Sequence, residues 1–409
     1  MGCISVDQLN QGMVLSDDVL DINRNLLLTK GQTITPRHIR IFKLWGITEV
    51  NVFGKNEKKN ETEPWINPEL RKKIEDRTKQ IFKNVDLNHP AAKEIFKLSV
   101  SYRCHGCGLN TPESLNLTEH DNIVNGLRPD IEEKIKSTKI KLPELSSTIV
   151  EIKETMADPM ASANDVAEVV KKSPSLTALL LKIVNSAFYG FPSKIDNISR
   201  AVTLIGFKQI ASLALGVSIM QSFKDIPKAI VDMEAFLKHS LACGLISRIL
   251  SAYMNIRQTE QMFVSGLLHD IGRLILYKDF PHESKLYFKL AMESDKSLYS
   301  VERIHIGYSH ARIGKNLIKA WNLPIVLENN VVFHHRPSDA PDQKKAAIIH
   351  LADIIVNGLG LGTSGERLIP QMDYKAVENI NMPFKIFNTV VQQAIHQLAS
   401  FESFFNGQQ

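Results

Sequence analysis

The chain has 409 residues, 44% hydrophobic and 23% charged, with 49 Lys and Arg against 44 Asp and Glu for a net charge of +5. That length predicts two or three units, the apolar content excludes a disordered or fibrous chain, and so slight a positive excess gives no ground for nucleic-acid binding. Four cysteines (Cys3, Cys104, Cys107 and Cys243) are too few for a disulfide framework and point to a reducing compartment.

The chain does not open on a basic segment followed by an apolar run, so no signal peptide is expected. No apolar stretch nears the ~20 residues of a spanning helix. A cytoplasmic protein without a membrane partner is the expectation. Met13–Val19 and Asn25–Thr29 read as short strands. Thr35-Pro36 opens a helix to Trp45, Thr35 as its cap and Pro36 in its first turn. Thr48–Phe53 reads as a further strand, completing a small α+β module over residues 1–55.

Residues 56–140 form a second region. The polar run Gly54–Glu63 reads as a linker, and Pro68 to Val100 shows helical amphipathy through Ile74, Ile81, Phe82 and Val85. Cys104-His105-Gly106-Cys107 follows, then a polar stretch over 110–140. Two thiolates make half a structural zinc site, which His89, His105 or His120 would have to complete; an unliganded loop is the alternative.

Residues 141–409 read as helix almost throughout, with segments at Leu176–Ser186, Ile198–Leu204, Phe207–Met220, Met233–Tyr253, Gln258–Leu276, His310–Trp321, Pro324–His334 and Lys344–Asn357. Lys171, Lys172 and Lys182 make a basic patch of the kind that usually is a solvated face. Asn185-Ser186-Ala187-Phe188-Tyr189-Gly190 reads as a helix end with Gly190 past the cap, or as a contact surface.

The informative feature is a set of histidines and aspartates on successive helices: His239, His269-Asp270, His310, His334-His335 and Asp353. Imidazole and carboxylate together suit divalent Fe, Mn, Ni or Zn, and single ligands from several helices can converge without strained loops. A lone histidine such as His239 is more often a packed core residue. The pair His269-Asp270 differs, because it lies in the apolar run Gly266-Leu-Leu-His-Asp-Ile-Gly272. A carboxylate buried there needs a metal or a charged histidine. Cys243, one turn beyond His239, is expected to pack.

With these residues the sequence resembles the HD superfamily of metal-dependent phosphohydrolases, and in particular its HDOD (HD-related output domain) relatives. Leu181-Lys-Ile-Val-Asn-Ser-Ala-Phe-Tyr-Gly190, Ile198-Ser-Arg-Ala-Val-Thr-Leu-Ile-Gly206, Gly266-Leu-Leu-His-Asp-Ile-Gly-Arg273 and Trp321-Asn-Leu-Pro324 carry the likeness, which spans roughly residues 140–360. It implies a mainly α protein: an all-helical domain preceded by the small α+β module. It also implies a bacterial signalling role, with a protein or a nucleotide-like ligand as partner. His239, His269, Asp270, His310, His334, His335 and Asp353 would hold one or two metal ions. In the alternative, phosphohydrolase reading, Asp270 and Arg273 would be catalytic, Arg273 meeting the substrate phosphate. The resemblance to the HD-GYP branch does not extend to cyclic-dinucleotide cleavage, because the Gly-Tyr-Pro of those enzymes does not follow His335 and Arg273 stands where they usually have a lysine.

Overall fold

The computed structural model describes residues 2–20, 26–44, 47, 49–53, 68–104, 146–185, 189, 191, 193–223, 226–305 and 307–405. The N-terminal module contains β1 (Gly2–Ser5), β2 (Val19–Leu20), β3 (Leu26–Leu28), α1 (Pro36–Leu44) and β4 (Glu49–Val52). β1 pairs antiparallel with β4, Ile4 opposite Val50, and β2 pairs with β3. The expected strand at Met13–Val19 is mostly isolated bridges, Val14 to Thr33 and Leu15 to Val52. Thr35 caps α1 as expected: its Oγ1 accepts the His38 N–H at 3.2 Å. Ile4, Val6, Leu15, Ile34, Phe42, Val50 and Val52 form this module's own apolar cluster.

Two helices follow, α2 (Pro68–Ile81) and α3 (Pro90–Cys104). The helical pattern expected from Pro68 to Val100 is interrupted over residues 82–89, which form turns, and Pro90 suits the first turn of α3. Phe82, Val85, Ala91, Ala92 and Ile95 join the core of the helices beyond residue 146. Arg103 completes that attachment by donating to the Gly358 carbonyl at 3.0 Å.

The body continues with α4 (Ser147–Ala157), α5 (Ala163–Lys171), α6 (Pro174–Val184), α7 (Ile198–Ile205) and α8 (Phe207–Gln221). Ser146, Ser173 and Asn197 cap α4, α6 and α7 with their side chains. Asn185 ends α6 and clamps the chain beyond it, accepting from Ile195 N–H and donating to Ile195 C=O. Of the neighbouring motif, Ser186, Ala187, Phe188 and Gly190 lie outside the described residues.

Next come α9 (Met233–Tyr253), α10 (Thr259–Leu268), α11 (Ile271–Asp279), α12 (Pro281–Glu293) and α13 (Leu298–His305). The body closes with α14 (His310–Ala320), α15 (Ile325–Phe333), α16 (Gln343–Leu359), α17 (Tyr374–Asn379) and α18 (Ile386–Phe405). α9 and α16 are buried along nearly their whole length and pack on one another. A helix apolar all round is a core helix, and these two form the centre of the domain. No helix among the described residues is long and apolar enough to cross a membrane.

One helix expected over Gln258–Leu276 is instead two. α10 ends at Leu268 and α11 begins at Ile271, with Asp270 between them at φ −98°, ψ 13°. Both halves are buried on all sides, so apolar periodicity runs on through the break and cannot reveal it.

Candidate metal centre

Five segments bring the expected residues together. α9 supplies His239, the α10–α11 break His269 and Asp270, the start of α14 His310, the end of α15 His334 and His335, and the middle of α16 Asp353. All are buried; His335, the most exposed, is at 7%. Glycines let the helices approach this closely. A Cβ on Gly272 would overlap the His310 carbonyl oxygen, so α11 and α14 touch backbone to backbone beside Asp270.

The ligand atoms form two sets. In the first, His239 Nε2 lies 3.4 Å from His269 Nε2 and 3.4 Å from Asp353 Oδ1, and His269 Nε2 lies 3.5 Å from Asp353 Oδ1. Cys243 joins it, Sγ 3.7 Å from His239 Nε2. In the second, His310 Nε2 is 2.9 Å from Asp270 Oδ1, 3.3 Å from His334 Nε2 and 3.1 Å from His335 Nε2. Asp270 spans both, because its Oδ2 is 3.4 Å from His269 Nε2.

The donor set fits a metal. Ligands at ~2.05 Å from a tetrahedral ion stand about 3.4 Å apart, which is the spacing found in the first set. The tautomers agree. His269 Nδ1 contacts the Gly266 carbonyl at 2.7 Å and His334 Nδ1 the Val331 carbonyl at 2.6 Å. His310 Nδ1 contacts Glu302 Oε2 at 2.6 Å. Carbonyls and carboxylates only accept, so each Nδ1 carries the hydrogen and each Nε2 points a lone pair inward. Lone pairs facing one another and facing carboxylates repel unless a cation stands between them. Asp270, Asp353, Glu302 and Glu366 set four buried carboxyl groups against the single guanidinium of Arg273, an imbalance that a bound cation would offset.

The charges respond accordingly. Burial opposes charge on His269, but Asp270 and Asp353 beside it prevail and lift its pKa to about 10. His310 is also raised, Glu302 and Asp270 overcoming burial and Arg273. Burial, reinforced by His269 and His310, pushes His334 down to about 3. His335 is lowered by burial and by His334. Burial would raise Asp270, yet Arg273, His269 and His310 hold it well below the usual carboxylate range.

Arg273 turns toward carboxylates: Nε is 3.3 Å from Asp270 Oδ2, Nη2 3.4 Å from Glu366 Oε2 and Nη1 3.9 Å from Glu302 Oε1. Sequence reasoning missed Glu302, Glu366 and His350. His350 accepts the Asp373 N–H at its Nε2 and contacts the His334 carbonyl through Nδ1, fixing the backbone that carries two ligands. Its place three residues before Asp353 on α16 was a usable signal; Glu302, across a helix break from His310, had none. Tyr299 covers His335, ring centroids 4.1 Å apart.

Cys104 is half-buried at the end of α3, and Cys107, His105 and His120 fall outside the described residues. His89 packs against Tyr374 and Glu378. In the basic patch, Lys171 pairs with Glu168 and Lys172 with Glu151.

Residues 142–337 match the family model of the HDOD domain. An uncharacterized protein of Treponema pallidum (strain Nichols) is 27% identical over 214 residues, 52% of this chain and 41% of that protein, so the match spans under half of the relative. A solved candidate signal-transduction protein from Marinobacter aquaeolei VT8 has a similar fold, with TM-score 0.51 and 20% identity over 65% of this chain and 60% of that one. A candidate metal-dependent phosphohydrolase from Shewanella amazonensis SB2B gives TM-score 0.50 and 20% identity over 67% and 97%. At these identities the likeness is one of fold.

Proposed function

We propose that the protein is a signal-transduction regulator built around a buried two-metal centre, whose residues other than Asp353 fall within the stretch 142–337 that matches the HDOD domain model. His239, His269 and Asp353 hold one ion, His310, His334 and His335 the other, and Asp270 bridges them. One observation carries this reading over catalysis: the centre is closed. No ligand is more than 7% exposed, and Tyr299 lies over the outermost one. Closed metal sites serve structure and regulation, whereas catalytic ones keep a position open to substrate. Arg273, the cation a phosphoester would need, faces three carboxylates, hydrogen-bonded to Glu366 and close to Asp270 and Glu302.

Five segments of the domain converge on the centre, so gaining or losing metal changes how firmly α9, α14, α15 and α16 hold together. That difference is what a protein partner or nucleotide-like ligand would read at the surface. The competing phosphohydrolase reading draws on the bridging position of Asp270, which suits activation of a metal-bound water once the site opens.

Elemental analysis of the purified chain, with a phosphoester panel, separates the two. The expected result is two ions per chain, one for each ligand set, without turnover above background. Metal-dependent cleavage that disappears in both His269→Ala and Asp270→Asn, with folding intact, would replace the regulatory reading.

A further inference from the structure

Cys243 is a fully buried member of the core that also stands beside the first ligand set. It stands four residues after His239 on α9, so both side chains leave the same helix face. Its Sγ is fully buried and lies 3.7 Å from His239 Nε2, and its ligand atom is within 4.8 Å of those of His239, His269 and Asp353. A thiolate at ~2.3 Å and an imidazole at ~2.05 Å from one tetrahedral ion would stand about 3.6 Å apart. The helix is pinned at this residue: a Cβ on Gly266 would come within 2.6 Å of the Cys243 carbonyl oxygen, so α10 presses on the backbone that aims the thiol.

We propose that Cys243 is a further ligand of the first metal position, beside His239, His269, Asp353 and the bridging Asp270, which makes the two halves of the centre chemically unlike. The first half then offers two imidazoles, Asp353 and a thiolate, the second three imidazoles, and Asp270 is shared between them. A soft sulfur ligand favours zinc or ferrous iron over manganese or magnesium, so the two positions select different ions. Binding releases the thiol proton to solvent, and no electron changes hands.

This inference rests on the two-metal reading, and its test keeps the two apart. The full-length chain is stripped with chelator and titrated with Co2+, following the visible d–d bands and the near-ultraviolet sulfur-to-cobalt charge-transfer band. The expected result is a charge-transfer band in the unmodified chain, kept in Cys104→Ser and lost in Cys243→Ser while the d–d bands persist. X-ray absorption on the zinc-loaded chain should show a sulfur neighbour at ~2.3 Å. Cobalt d–d bands without a charge-transfer band would overturn the thiolate ligand and leave the metal centre standing, as would a band that survives Cys243→Ser. No cobalt uptake at all would overturn both. The unmodified chain gives the primary readout, so misfolding of the variant does not blunt the test.

Discussion

Glu302 shows how much of the centre depends on a residue that is not a ligand. One of its oxygens, Oε2, takes both the backbone N–H of His310, at 2.8 Å, and the ring Nδ1–H, at 2.6 Å. The carboxylate therefore fixes the ring's tautomer, its rotation and the first turn of α14 together. Glu302→Ala strands a buried N–H, costing about 1–3 kcal/mol, and frees the ring to turn. Metal affinity at the second position is expected to fall about 10- to 100-fold, as for other partners of metal-bound histidines, with the first position less affected. Competition with a coloured chelator measures this. Equal affinity in both proteins would mean that His310 needs no positioning. The histidines and aspartates that the fold brings together were legible in the sequence, because buried His-Asp pairs are rare and chemically costly. Cys243 was legible only by its register with His239, which cannot tell a thiol that packs from one that points at a metal.

At the scale of elements, long periodic helices were readable and their interruptions were not. Met233–Tyr253 matches its expected bounds, since an unbroken apolar pattern capped by Asp232 has one outcome. The break between α10 and α11 escaped notice because tertiary contact on every side masks it. The strand Gly2–Ser5 escaped because its partner lies almost fifty residues away, and only non-local pairing defines it. The α11–α14 approach depends on Gly272, which leads to a direct expectation. Gly272→Ala must push the two helices apart or distort them, a destabilisation of about 1–3 kcal/mol. Because the same contact sets Asp270 against His310, the variant should lose metal from the second position as well as stability. A variant that melts at the unmodified temperature and retains both ions would show that the helices do not meet through this glycine.

Over the whole molecule, protons and a bound metal would compete for one set of lone pairs. The N-terminal module has its own apolar cluster, so this competition belongs to the helical body. Without metal, His269 (about 10) keeps its proton at neutral pH, and His310 holds one more firmly than a free imidazole does. A proton on His269 thus does the work of a cation beside Asp270 and Asp353. Metal must displace it, so loading near pH 8 should release it, and apparent affinity should climb about tenfold per pH unit for each proton displaced. Stability follows the same bookkeeping. His269 and His310 have folded values above 6.5, so their contribution is whole below 6.5 and, for His269, is lost as pH rises through about 10. His334 (about 3), His335 and His350 have folded values below 6.5. The fold refuses protons that the unfolded chain takes, and stability falls as pH drops below 6.5. For this cluster the metal-free chain is therefore most stable near pH 6.5, and the gain in melting temperature on adding metal should be larger at about pH 8 than at about pH 6. Thermal melts across that range, with calorimetry in two buffers of different ionisation enthalpy, measure both quantities. A metal-induced gain that is flat with pH, together with no proton release, would mean that the imidazoles are neutral before the metal arrives and that something other than a proton balances the carboxylates.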